Sequence, residues 1–143
     1  MIAIIDYDAG NIKSVEKAIH YLGEQAVITR DRETILAADK VILPGVGAFG
    51  DAMAKIRSYG LEEVIHEVVD KGTPFLGICL GLQLLFESSE ESVGVKGLGL
   101  LKGKIVKIPD DQGLKVPQIG WNSLKYPNKG RLFEGLFGGY GIQ

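Results

Sequence analysis

Apolar and polar positions fall into blocks of two lengths along the first half of the chain. Short apolar runs occur at Ile2–Ile5, Ala26–Thr29, Val41–Leu43 and Pro74–Ile78. Each has the length and texture of a strand buried in a parallel sheet. Between them, apolar residues recur every three or four positions: Ile12, Val15, Ala18, Ile19 and Leu22, then Ala52, Met53 and Ile56, then Leu61, Val64, Ile65, Val68 and Val69. That spacing places apolar side chains on one face of a helix. Asn11 and Asp31 are placed to open helices, and Gly23, Tyr59-Gly60 and Gly72 to stop them. Leu80, Leu82, Leu84, Leu85 and Phe86 predict a further buried helix. The order is β-α repeated four times, which implies an open, mostly parallel sheet with helices on both faces, three layers in all.

After Ser88–Ser92 the texture changes. Leu100–Ile108 partly alternates, 109–113 has the composition of a hairpin turn, and Lys115–Leu124 predicts a strand pair or a strand and loop. A small antiparallel β region is therefore expected after residue 98. Arg131–Leu136 predicts a helical turn and Phe137–Gln143 an uncapped end. The whole, 1–143, is expected to be a single domain.

Composition narrows the function classes. A net charge of −2 gives no basic footprint for nucleic acid. One cysteine cannot form an internal disulfide, which fits a reducing, cytoplasmic setting. The start, M-I-A-I-I-D, lacks the charged segment of a signal peptide, and no apolar run is long enough for a bilayer. No membrane partner is expected.

The lone cysteine, Cys79, stands where the fourth strand gives way to its helix, with Gly77 two before and Gly81 two after. A nucleophile on such a sharp turn needs small neighbours, because backbone passes close to it. The turn lifts the sulfur from the core toward the amides of a helix N-terminus, equivalent to about half a positive charge. That field favours thiolate, the attacking species. The bland alternative is a small buried hydrophobe. A second loop, Pro44–Gly50, carries three glycines in six residues and lets backbone approach a ligand. Its alternatives are an ordinary turn or a phosphate loop, but the G-x-x-x-x-G-K-S/T pattern is absent. Asp6–Asn11, Pro44–Gly50 and Cys79 should meet at the carboxyl edge of the sheet, where ligands bind in such folds.

Four segments together resemble one family: D-Y-D-A-G-N at Asp6–Asn11, P-G-V-G-A-F-G-D-A-M at Pro44–Met53, G-I-C-L-G-L-Q at Gly77–Gln83, and K-V-P-Q-I-G-W-N at Lys115–Asn122. The family is the class I, triad-type glutamine amidotransferases, and within it the glutaminase subunit of imidazole glycerol phosphate synthase. The resemblance implies that Cys79 attacks the side-chain amide of glutamine and forms a glutamyl thioester, with amides of Val46, Gly47 and Leu80 holding the oxyanion. It implies that Gln83 and Glu91 hold the substrate. It also implies a partner, a (β/α)₈-barrel cyclase that takes up the ammonia, faced by Asn11, Trp121 and Asn122. No cofactor and no metal are implied.

The sequence departs from that family in two respects. Gln118 replaces the usual histidine before G-W-N. The H-P-E motif that supplies the general base and its orienting glutamate is absent, and the only histidines, His20 and His66, fall on helices. The chain is therefore expected to be a C-terminally shortened member that keeps its thiol, lacks its base and hydrolyses glutamine poorly. Two other classes compete with the glutaminase reading: a non-catalytic α/β module that only docks on a partner, and a relative of the cysteine-elbow peptidases and deglycases.

Overall fold

The computed structural model describes residues 1–109, 111, 113, 115–128 and 130–135. They divide into two compact units, Met1–Lys107 and Ile108–Gln143.

The first unit carries β1 (Ile2–Ile5), α1 (Ile12–Tyr21), β2 (Ala26–Thr29), α2 (Arg32–Ala37), β3 (Lys40–Leu43), α3 (Phe49–Ser58), α4 (Leu61–Asp70), β4 (Phe75–Gly77), α5 (Leu80–Gln83), β5 (Ser88–Ser89) and β6 (Lys104–Ile105). Strands β1 to β4 form one sheet in the order β2-β1-β3-β4, every pair parallel. The apolar runs thus become strands, but the run at 74–78 is not buried as expected: β4 ends the strand order, and Leu76 and Ile78 are exposed. Their alternation sorts the core into two layers. Ala3, Ile5, Val41 and Leu43 pack against Ile35 of α2, Phe49, Met53 and Ile56 of α3, Leu61, Ile65 and Val68 of α4, and Leu80. Ile4 and Ile42 face the other way, onto Ile12, Val15 and Ile19 of α1. Helices therefore cover both faces, with α1 alone on one of them among the described residues.

Several local expectations change. Asp31 caps α2, accepting from the Thr34 amide at 2.9 Å. Asn11 occupies the cap position of α1, but its side chain caps no amide. Its backbone is left-handed, φ 63°, and its Oδ1 accepts instead from the Ser14 hydroxyl. The helix after Cys79 ends at Gln83, not Phe86. The amides of Leu85 and Phe86 turn to the carbonyls three residues back, a tightening that closes a helix.

The small second sheet is present, but its strands β5 and β6 run parallel, not antiparallel. Among the described residues the antiparallel element is one bridge, Ser88 with Lys96. The reason lies in Leu98, which is buried in the core cluster and whose amide donates to the Leu84 carbonyl at 2.8 Å. With it, the amides of Gly97, Gly99 and Leu101 donate to the carbonyls of Glu87, Phe86 and Leu85, so the chain is held along the segment after α5 and β6 pairs with β5.

In the second unit, the described part of Lys115–Leu124 carries no strand. The expected turn at 109–113 lies partly, and Phe137–Gln143 wholly, outside the described residues. Residues 130–135 form turns, and the Tyr126 and Phe133 rings meet edge to face at 4.8 Å.

Candidate active site

β3 and β4 pair with Leu43 opposite Gly77, so the chain leaves both strands side by side at the carboxyl edge. Pro44 follows the first and Cys79 the second. The Ile78 amide donates to Leu43 O at 3.0 Å and the Leu80 amide to Gly45 O at 3.3 Å. Cys79 itself has φ 56° and ψ −120° and is exposed. An L-residue rarely adopts that conformation, at a cost of about 1–3 kcal/mol. The fold imposes it through close packing: a Cβ on Gly81 would lie 1.8 Å from Leu43 O, and one on Gly77 2.7 Å from the Leu82 Cα. The sharp strand-to-helix turn expected from the two flanking glycines is thus present, and Cys79 is exposed on it, not buried as a small hydrophobe. The helix behind the turn is a single turn of four residues, shorter than the sequence suggested.

The glycine loop sits against the first loop as well. A Cβ on Gly10 would lie 2.9 Å from Val46 Cγ2, and the Tyr7 hydroxyl donates to Pro44 O at 2.7 Å. Gly47 is left-handed at φ 101°, and Val46 is half exposed. At the far end of this loop, Ala48 leads into α3 with no side chain to cap it. The cap comes from a distant segment: Glu91 Oε2 accepts from the Phe49 amide at 3.1 Å and Ser92 Oγ from the Gly50 amide at 2.9 Å. Glu91, assigned by resemblance to substrate, therefore has one oxygen engaged with the loop. Gln83 closes α5, half-buried.

The first loop is braced by charge. Arg30 bridges Asp6 and Asp8 at 2.9 Å each and lies 4.0 Å above the Tyr59 ring. Asp8, left-handed at φ 65°, also accepts from the Tyr59 hydroxyl and pairs with Lys55 at 3.2 Å. The Tyr59 hydroxyl, then Arg30 and Lys55, pull the Asp8 carboxyl down from 3.8 to about 2. The folded state thus favours ionised Asp8, so this support is complete above pH 3.8 and is lost as pH falls toward 2. Asp8→Asn keeps a residue that tolerates the left-handed backbone. The variant is expected to lose stability less steeply than the parent between pH 3.8 and 2 in thermal melts. Identical slopes would refute a contribution from Asp8.

Neither histidine is near a role at this site. His20 turns toward Ala26 O at the amino end of β2, and His66 lies on α4 among Glu62, Glu63, Glu67 and Asp70. Among the described residues no group of three His, Cys, Asp or Glu could hold a metal ion. No described helix is long and apolar enough to cross a membrane. Asn11 is exposed on the first loop, while Trp121 and Asn122 are exposed in the second unit. Sequence reasoning missed Tyr7, although the strand period that buries Ala3 and Ile5 continues to it. It missed Ser92 too, for which no local signal exists.

The sequence pattern of the family described as glutamine amidotransferase class-I matches residues 3–136. Two similar curated proteins are both called imidazole glycerol phosphate synthase subunit HisH. One, from Moorella thermoacetica, is 54% identical over 138 residues, covering 96% of this chain and 65% of that one. The other, from Methanocaldococcus jannaschii, is 52% identical over 136 residues, covering 95% and 67%. The chain thus spans about two thirds of the length of these relatives. A crystal structure of a glutamine amidotransferase superposes with TM-score 0.64 at 22% identity, covering 74% of this chain and 56% of its own. A structure described as a putative peptidase E protein from Listeria monocytogenes superposes with TM-score 0.58 at 13% identity, covering 70% and 62%. These two likenesses concern the fold alone. With nearly its whole length matched by the family pattern, the chain belongs to the class-I glutamine amidotransferases.

Proposed function

We propose that this chain is the glutaminase portion of an imidazole glycerol phosphate synthase and that Cys79 is its nucleophile. The carrying observation is the exposed sulfur on a strained strand-to-helix turn, with the glycine loop hydrogen-bonded beside it. The Cys79 thiolate adds to the side-chain amide carbon of glutamine. The C–N bond then breaks, ammonia leaves with a proton, and a glutamyl thioester remains. Water adds to the thioester carbon, releasing glutamate and restoring the thiol.

The tetrahedral oxyanion needs donors from Leu80 and from the Val46–Gly47 stretch. In the resting geometry the Leu80 amide is occupied by Gly45 O. Gly45 C=O and Val46 N–H share one peptide plane, so rotating that plane frees one donor and presents a second. A single donor of this kind is worth about 3 kcal/mol in other enzymes. Glu91 keeps Oε1 for the substrate ammonium while Oε2 holds the loop, and Gln83 completes the substrate contacts. The ammonia passes to a (β/α)₈-barrel cyclase subunit in histidine biosynthesis, which Asn11 of the first unit and Trp121 and Asn122 of the second each contact.

A chloroketone analogue of glutamine tests this reading. Its thiolate displacement releases chloride and leaves a stable thioether. The expected result is a single adduct at Cys79, blocked by excess glutamine, with no adduct from peptide or glyoxal analogues. Labelling by the peptide or glyoxal reagents in its place would support the peptidase and deglycase relatives. Binding to a cyclase barrel with no adduct at Cys79 would support a purely docking module.

A further inference from the structure

We infer that Tyr7 is a positioning residue for the loop that faces the nucleophile: its hydroxyl fixes the Pro44 carbonyl and so sets the geometry of the next peptide, the one that meets Leu80. The inference rests on the proposal that Cys79 attacks glutamine.

Tyr7 lies two residues past Ile5, on the same face of the sheet, and is 2% exposed. A phenol so deeply buried needs a partner for its hydroxyl. It has one, Pro44 O at 2.7 Å, the first carbonyl of the glycine loop. The fit is tight on the other side. A Cβ on Gly45 would stand 2.3 Å from the Tyr7 oxygen and 2.9 Å from the Gly81 nitrogen. Gly45 O in turn accepts from the Leu80 amide at 3.3 Å. One continuous path therefore runs from the Tyr7 hydroxyl through the Pro44–Gly45 peptide to the residue after Cys79. With Pro44 held, rotation is confined to the Gly45–Val46 plane, and that plane must exchange its carbonyl for an amide in the reaction. Burial pushes the Tyr7 phenol up to about 12, with the Cys79 charge adding to the effect. The hydroxyl thus stays a donor across the working range and lies within electrostatic reach of the sulfur.

Tyr7→Phe removes only the oxygen and keeps the ring that fills the core. In the full chain, the maximal rate of Cys79 modification by the glutamine chloroketone is expected to fall about tenfold, the scale of one lost hydrogen bond and an orphaned carbonyl. The half-saturating analogue concentration should not change, and neither should the rate with iodoacetamide, which needs no oxyanion donors. Ile35→Val, a core truncation away from the loop, should lower the melting temperature while leaving chloroketone labelling intact. Should Tyr7→Phe not fold, Gly45→Ala gives the answer, since its Cβ would stand 2.3 Å from the Tyr7 oxygen and force that hydroxyl off Pro44 O while the phenol itself is kept; slowed chloroketone labelling beside normal iodoacetamide labelling is then expected. A parental maximal rate in the variant that is read, or an equal fall in Ile35→Val, would overturn the positioning role while leaving the glutaminase reading standing. A parent chain that takes up no chloroketone would overturn that reading and this one with it.

Discussion

Replacing Cys79 by alanine is expected to abolish covalent capture of the glutamine analogue, while glutamine hydrolysis, already poor without the general base, falls little further because such groups act as a unit. The sulfur is the only thiol in the chain and no second nucleophile stands in the turn. What alanine leaves behind is the oxyanion cradle, which stabilises charge but forms no thioester. Stability separates this chemical loss from damage to the fold. Alanine inherits the same φ of 56° and should melt close to the parent. Cys79→Gly is equally dead but relieves the strained backbone, and should be more stable than the parent by about 1 kcal/mol. Mass spectrometry of the treated protein and urea titrations of all three forms decide the matter. A glycine variant no more stable than alanine would mean that the turn stores no strain.

Gly81→Ala is expected to have the largest effect on folding of any single methyl addition near the site. The new Cβ would stand 1.8 Å from Leu43 O, 2.7 Å from Leu43 C and 3.1 Å from Pro44 C. All three atoms are backbone, so no flexible side chain can swing aside. Either β3 and the nucleophile turn separate, or the Leu43 carbonyl gives up its bond from the Ile78 amide. Overpacking of this kind costs about 3 kcal/mol. Because the same contact holds the glycine loop beside Cys79, analogue labelling should fall with stability. The urea midpoint measures the first effect and the adduct yield the second. A variant within 0.5 kcal/mol, about the scatter for neutral surface changes, would mean the loop yields freely.

The parallel sheet was legible because its strands read as unbroken apolar runs, those of the buried β1 and β3, as at Val41–Leu43, and also the run through β4, where Leu76 and Ile78 are exposed. The sharp turn at Cys79 was legible because close packing leaves its mark in sequence, as glycine at 77 and 81. The short helix after Cys79 was not. Leu84 and Leu85 are apolar because they are buried, and burial alone does not say whether a helix or tight turns bring them there. The direction of the second sheet escaped for a related reason, since Leu98 satisfies the core and not a hairpin partner. The segments that steady the glycine loop, Tyr7 and the Glu91–Ser92 pair, come from 37 to 42 residues away. No local pattern encodes such contacts.

The strand order β2-β1-β3-β4 has a consequence of its own. From β1 the chain climbs over one side of the sheet to α1, and from β3 it climbs over the opposite side to α3. Neighbouring exits that part in this way leave a crevice between them whatever residues occupy it. The place for chemistry is thus a matter of chain tracing, older in the logic of the fold than the thiol beside it, and a descendant that lost its sulfur would still inherit the hollow.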